Sequence, residues 1–177
     1  MLAIAAAILL ADGRPVFFRQ QRIGLGEQPF TLYKYRTMRA GLQREDARIT
    51  PLGNLLRRYS LDELPSLLNI LCGDMSFIGP RPLLPQYLPY YTPDERMRHQ
   101  VRPGLTGLAQ INGRNRLPWD ERFLLDIQYV RSISFAKDMR ILLRTVCMAC
   151  TGKDVAIPGQ TGLADLNLTR AKAGHKQ

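Results

Sequence analysis

The apolar positions change period several times along the chain, and each change predicts an element. Met1 to Ala11 is apolar and uncharged throughout. It is too short to cross a bilayer, which takes about 20 residues. No basic segment precedes it, and Ala11-Asp12-Gly13 is a poor cleavage site, so it reads as a helix rather than a signal peptide. The run Val16 to Phe18, the turn Gly24-Leu25-Gly26 and the alternation Phe30 to Tyr35 predict a β-hairpin within Gly13 to Met38. Ala40 to Ile49 is polar and reads as an exposed, mobile loop. Thr50-Pro51 opens a short helix that packs through Leu52, Leu55 and Leu56. Thr92-Pro93-Asp94-Glu95 opens another, which ends before Arg102-Pro103-Gly104. A long helix runs from Leu117-Pro118-Trp119 to about Val130, with Phe123, Leu124, Ile127 and Val130 on its apolar face. A second runs from about Phe135 to Cys150, and arginines and a lysine flank both apolar faces. After Thr151 periodicity fades and disorder is expected.

The stretch Ser60 to Pro82, SLDELPSLLNILCGDMSFIGPRP, organises the rest. Asp62 and Glu63 stand at the start of an apolar helix, and Arg81 is held between Pro80 and Pro82. A helix start favours anions, yet a carboxylate there repels phosphate unless a divalent cation lies between them. The pattern predicts a Mg²⁺-bridged phosphate site with arginine support. Ser60 with Glu63 fits a capping box, but that start puts Pro65 where its missing N–H costs a bond. A start at Asp62 or Glu63 puts Pro65 in the first turn and is preferred. Leu64, Leu67, Leu68 and Leu71 then form the anchoring stripe. A salt bridge from Asp62 to Arg57 or Arg58 is the structural alternative to catalysis.

The net charge of +10 and the excess of arginine over lysine, 20 to 5, change the picture further. Arginine suits bidentate phosphate contacts and anionic headgroups. Basic and aromatic residues interleave in the hairpin, but no nucleic-acid module follows them. There is no Walker A sequence and no G-x-G-x-x-G, and His99 and His175 lie in no triad-like context. Cys72, Cys147 and Cys150 sit in apolar runs and read as core. Cys147 and Cys150 form one C-x-x-C without the second pair that a zinc site needs. In LLPQYLPYY, Leu83 to Tyr91, two prolines forbid a regular helix. Its tyrosines suit a membrane interface, a base- or sugar-stacking platform or a packed loop. Gly104 to Asn115, GLTGLAQINGRN, reads as a compact loop whose backbone approaches a ligand, with Arg114 either placed to reach a diphosphate or solvated in a turn.

Five motifs in order carry a resemblance: PVFFRQQRIG, KYRTM, SLDELP, GDMSFIGPRP and RPGLTGLAQINGRN. Together they resemble the bacterial sugar transferases, monotopic polyprenyl-phosphate phosphoglycosyl transferases of the inner membrane. The small size is similar to forms that transfer N-acetylated amino sugars such as bacillosamine. The resemblance implies an α+β fold: a mainly helical single domain with a small N-terminal β-hairpin, amphipathic interfacial helices and a membrane-inserted N-terminal helix. Residues 1–12 would be the remnant of that re-entrant helix, 13–150 the catalytic domain and 151–177 a disordered tail. It implies transfer of a sugar 1-phosphate from a UDP-sugar to polyprenyl phosphate at the cytoplasmic face of the inner membrane. UMP would leave by a ping-pong route through an aspartyl intermediate, with Mg²⁺ as cofactor. Asp62 would be the nucleophile, Glu63 a Mg²⁺ ligand or helper, and both carboxylates metal ligands. Arg81, Arg114 and Arg57 would bind phosphates. Lys34, Arg36, Pro80, Asn112 and Asn115 are further candidates for substrate or headgroup contacts. The implied partners are the two substrates and the lipid surface, with no nucleic acid and a homodimer left open.

Overall fold

A computed structural model describes residues 1–39, 48–113, 116–151 and 165–174 of the chain. The architecture is the expected small α+β domain. Helix α1 (Leu2–Asp12) leads into strands β1 (Phe17–Ile23) and β2 (Pro29–Tyr35). The strands pair antiparallel in the register Phe17↔Tyr35 through Ile23↔Pro29. Paired side chains point to the same side, so Arg22, Leu32 and Lys34 share one face of the hairpin. Tyr33 and Tyr35 lie on the other. Tyr35 is buried with Ile8 of α1 and with Leu56 of helix α2 (Pro51–Arg58). Thr50 caps α2 through its hydroxyl, which accepts from Gly53 N at 2.9 Å.

A tight 3₁₀ segment, Leu61–Ser66, then runs into the short helix α3 (Leu67–Leu71). Winding begins at Leu61, one residue earlier than preferred from sequence, so Pro65 lies inside the segment. A 3₁₀ turn this short makes few internal bonds, so one missing N–H costs little. No capping box forms, because the Glu63 side chain is engaged elsewhere. The leucine stripe is corrected too: Leu68 and Leu71 are exposed, while Ser66 and Asn69 are buried. These polar residues close the free edge of β2. Ser66 Oγ donates to the Tyr33 carbonyl at 2.8 Å. Asn69 Nδ2 donates to the Thr31 carbonyl at 2.8 Å, and Asn69 Oδ1 accepts from Tyr33 N at 3.2 Å. An asparagine amide thus stands in for a third strand.

Strands β3 (Ser76–Ile78) and β4 (Gly104–Thr106) pair in parallel. Two glycines of GLTGLAQINGRN, Gly104 and Gly107, allow close approach to the backbone of Gly79. A Cβ on Gly104 would stand 2.1 Å from Gly79 N, and one on Gly107 2.1 Å from the Gly79 carbonyl. Between the two strands lie 3₁₀ turns Pro85–Tyr90 and Glu95–Gln100. Of the readings open for LLPQYLPYY, the structure supports the packed loop, since Tyr87 and Tyr91 are core residues beside Leu83 and Phe123. Thr92 and Glu95 form a reciprocal capping box.

After helix α4 (Leu108–Ile111) come α5 (Trp119–Arg131) and α6 (Phe135–Thr151), as expected. The buried face of α5 differs from its apolar stripe. It carries Arg122, Phe123, Asp126 and Tyr129, and Leu124 faces outward. Buried charges are tolerated when paired, and Asp126 is. On α6 only Ile141 is buried, and Phe135, Leu143 and Val146 are exposed. Cys72, Cys147 and Cys150 are likewise exposed, which corrects their assignment to the core. The expected tail disorder is corrected for Leu166–Gly174, which forms helix α7. Leu166 joins the Tyr87–Phe123 cluster, and Arg170 pairs with Glu95 at 2.5 Å and Asp120 at 3.2 Å. The polar Ala40–Ile49 loop lies almost wholly outside the described residues.

Candidate active site

The site forms where the hairpin face, the 3₁₀ segment and the Gly79–Leu83 loop meet. The hairpin supplies Lys34 and the tight turn supplies Asp62 and Glu63. Ser60 enters that turn in the left-handed region, at φ 56°, and the buried Ser66 and Asn69 pin it to β2. Glu63 Oε1 then accepts from Lys34 Nζ at 2.6 Å and from Arg81 Nη2 at 2.8 Å. Burial pushes the Glu63 carboxyl up, but the charges of Arg81 and Lys34 outweigh it and hold the group well below the usual carboxylate range. Glu63 is therefore ionised, and its Oε2 accepts no hydrogen bond among the described residues.

Asp62 behaves differently. Neither carboxylate oxygen has a hydrogen bond or ion pair among the described residues. Burial first, and the neighbouring Glu63 charge second, raise its pKa above the ordinary aspartate value. Lys34, Arg57 and Arg81 oppose that rise. The salt bridge to Arg57 or Arg58 does not form. Arg57 instead donates through Nε to Thr37 Oγ1 at 2.9 Å and acts on Asp62 only through its charge.

Arg81 owes its position to an unusual loop. Pro80 and Pro82 have no N–H, so the segment offers acceptors faster than donors. Four consecutive carbonyls are met by three elements, β1, β4 and the Glu95–Gln100 turn. Pro80 O accepts from Gly104 N at 2.9 Å and Leu83 O from Ile23 N at 3.0 Å. Arg81 O accepts from Arg98 Nη2 at 2.7 Å, and Pro82 O from Arg22 Nη1 at 3.1 Å. Arg98 is itself fixed: Nη2 and Nε donate to Asp126 Oδ2 at 2.8 and 3.1 Å, in a pair with both side chains 2 % exposed.

The structure thus brings together Lys34, Asp62, Glu63 and Arg81, with Arg57 nearby. It takes three other candidates away from substrate. Arg36 Nη2 donates to the carbonyls of Asp12 and Gly13 at 2.6 and 2.8 Å, so it caps α1. Pro80 is buried, with its carbonyl used by β4. Asn112 is exposed and bonds the Leu108 carbonyl at 2.7 Å, closing α4. Arg114 and Asn115 lie outside the described residues. Sequence reasoning passed over Arg22, Arg98 and Asp126. The phase of β1 against Lys34 was the available signal for Arg22; a buried arginine–aspartate pair across 28 positions leaves none.

A divalent cation fits the donor set only with help. Among the described residues there is no group of three or more His, Cys, Asp or Glu that would hold a metal. Two adjacent carboxylates with unused oxygens match the Mg²⁺ habit of taking one or two protein carboxylates plus substrate phosphates.

Comparison with known proteins agrees with this chemistry. The family model for bacterial sugar transferases matches residues 1–152. An uncharacterized sugar transferase, EpsL of Bacillus subtilis, is 51% identical over 82% of this chain and 75% of its own length. A UDP-glucose:undecaprenyl-phosphate glucose-1-phosphate transferase of Caulobacter vibrioides is 45% identical over 82% of this chain, which spans 61% of that relative. The exopolysaccharide production protein ExoY of Rhizobium meliloti is 37% identical over 86% of this chain and 77% of its own. With its cation-flanked carboxylate pair in place and its family matched over most of its length, the chain belongs to the bacterial sugar transferases.

Proposed function

We propose that the chain transfers a sugar 1-phosphate from a UDP-sugar to polyprenyl phosphate and releases UMP. The relatives that act on undecaprenyl phosphate support the reaction class. The observation that carries the mechanism is the contrast between the two carboxylates. Glu63 is held by two cations, whereas Asp62 beside it has no hydrogen bond or ion pair among the described residues.

In the first half-reaction an Asp62 carboxylate oxygen attacks the phosphorus that bears the sugar. The phosphoanhydride P–O bond breaks, and UMP leaves with the electron pair. Arg81 and Lys34 face the oxygens on which charge collects. In the second half, a phosphate oxygen of the polyprenyl phosphate attacks the same phosphorus and the Asp62 carboxylate departs. Mg²⁺, when bound by the unused oxygens of Asp62 and Glu63, supplies charge neutralisation at the phosphates.

We place the reaction at the cytoplasmic face of the inner membrane. No helix among the described residues is long and apolar enough to cross a bilayer. Leu2, Leu10 and Phe135 nonetheless expose 87, 88 and 79 % of their surface, which suits contact with lipid. The test is a donor labelled in its sugar phosphate. The protein should acquire label in the absence of acceptor and release it on adding polyprenyl phosphate. Asp62→Asn should do neither, and labelling that survives this change refutes Asp62 as nucleophile.

A further inference from the structure

Arg22 is a cation of this region that the mechanism above leaves unused. Its side chain lies on the same face of the hairpin as Lys34. It lines a small, open cleft whose wall also holds Lys34, Glu63 and Arg81. Three cations therefore face the cleft with the single carboxylate of Glu63. That carboxylate is already shared by Lys34 and Arg81. Arg22 has no carboxylate partner among the described residues.

What holds Arg22 is neutral. Nη1 donates to the Pro82 carbonyl at 3.1 Å and Nη2 to Gln20 Oε1 at 2.6 Å. Its Nε–H is buried and bonds nothing among the described residues. An unmatched donor on a charged group carries a desolvation penalty that a bound anion would relieve. Burial, followed by the nearby Arg81 charge, lowers the Arg22 pKa to about 10. Burial is the larger cause, and the charge of Glu63 only partly offsets it.

We propose that Arg22 is a third anion-binding residue of the site and takes a phosphoryl oxygen of the substrate. The guanidinium is already oriented by two neutral acceptors, so it meets the ligand without first losing rotamer freedom. A diphosphate arriving in the cleft supplies the charge that three cations and one carboxylate lack. The inference rests on the reading of the site as one for phosphorylated substrates. The phosphoryl group belongs either to the nucleotide donor or to the lipid acceptor, and two measurements separate these sources.

The full chain, purified in detergent, is titrated calorimetrically with UDP as wild type, Arg22→Gln and Arg22→Lys. The KM for polyprenyl phosphate is measured at saturating donor for the same three proteins. Arg22→Gln should weaken UDP binding or raise the lipid KM about tenfold or more, with a shallower salt dependence. Arg22→Lys, which keeps the charge and loses the fork, should fall between. A shift in UDP affinity assigns the donor phosphate; a shift in lipid KM assigns the acceptor. If both quantities stay within about twofold of wild type while only kcat falls, Arg22 merely supports the Pro82 carbonyl and the proposal is overturned. Should the glutamine variant not fold, the lysine variant decides by the same two quantities. A wild-type protein that neither binds UDP nor releases UMP sinks the functional reading and this inference together. Variants indistinguishable from an active wild type sink this inference alone.

Discussion

Arg98 Nη2 donates to the main-chain carbonyl of Arg81 at 2.7 Å, which ties a fully buried ion pair to the guanidinium that faces Glu63. Asp126 holds Arg98, Arg98 holds the Arg81 backbone, and Arg81 holds Glu63. The chain of contacts spans from α5 to the carboxylate pair. It gives the charges inside α5 a purpose beyond packing.

Stability and turnover should separate along that chain. Removing one member of a buried pair strands the other, at a cost of about 3–5 kcal/mol. Asp126→Ala should show this loss in urea unfolding. Arg98→Met with Asp126→Leu replaces both charges by apolar groups and should recover most of the stability. It leaves the Arg81 carbonyl without its donor, so UMP release should stay about tenfold or more below wild type. A double variant with normal turnover would show that Arg98 only packs.

The acid limb of adduct formation should report Asp62. Its pKa is raised by burial and by Glu63, so the reactive carboxylate is lost as pH falls through a value above the usual ~3.9. Glu63→Gln removes the like charge but leaves Lys34 and Arg81 nearby. The midpoint should therefore move to lower pH, whatever happens to the absolute rate. Quenched adduct yield against pH measures it, and an unmoved or higher midpoint contradicts the assigned coupling.

His99 should set a pH dependence of stability that is unrelated to catalysis. It is 5 % exposed, its Nδ1 faces the Gly24 carbonyl at 3.3 Å, and its Nε2 is buried without a partner among the described residues. Burial and the Arg98 charge lower its pKa from 6.5 to about 4. The unfolded chain binds the proton first, so stability is complete above about pH 6.5 and declines as pH falls towards 4. The loss is at most about 3 kcal/mol. His99→Gln should flatten unfolding free energy across this window, and an unchanged slope would exclude His99 as its origin.

Gly104→Ala should act on the parallel strand pair. The added Cβ meets the Gly79 backbone, which cannot yield as a flexible side chain does. A loss of at least about 2 kcal/mol is expected. That is roughly 4–8 °C in Tm for a chain of this size. Gly73→Ala is the comparison: its φ of 84° costs about 1 kcal/mol, but the space around it is open. Equal melting points for the two variants would mean that strands β3 and β4 separate without consequence.

Much of the fold was legible where local signals agree with tertiary demand. Thr50-Pro51, Gly24 to Gly26 and Pro118-Trp119 mark true boundaries, because caps and turns are set by neighbouring residues. That Asp62, Glu63 and Arg81 would meet was legible from the acids at a turn start and the arginine between two prolines, and the structure brings the three together. The errors share one cause. Leu68, Leu71, Leu124 and the cysteines were placed inside on hydrophobicity alone, and the structure puts Ser66, Asn69, Arg98 and Asp126 there instead. Periodicity counts apolar residues; it does not register a polar side chain whose partner lies tens of positions away. The contacts of Arg36 were hidden for the same reason, since the carbonyls it meets lie at the end of α1, more than twenty positions away.

The closure of β2 by Asn69 has a bearing on how the chain is made. The hairpin contacts itself over short sequence distances and is ready early during synthesis. The amide that seals its outer margin arrives 36 residues after Tyr33. Until then a row of peptide groups is open to any neighbouring nascent chain. Once it folds into place, Asn69 removes an edge that could otherwise pair with another chain.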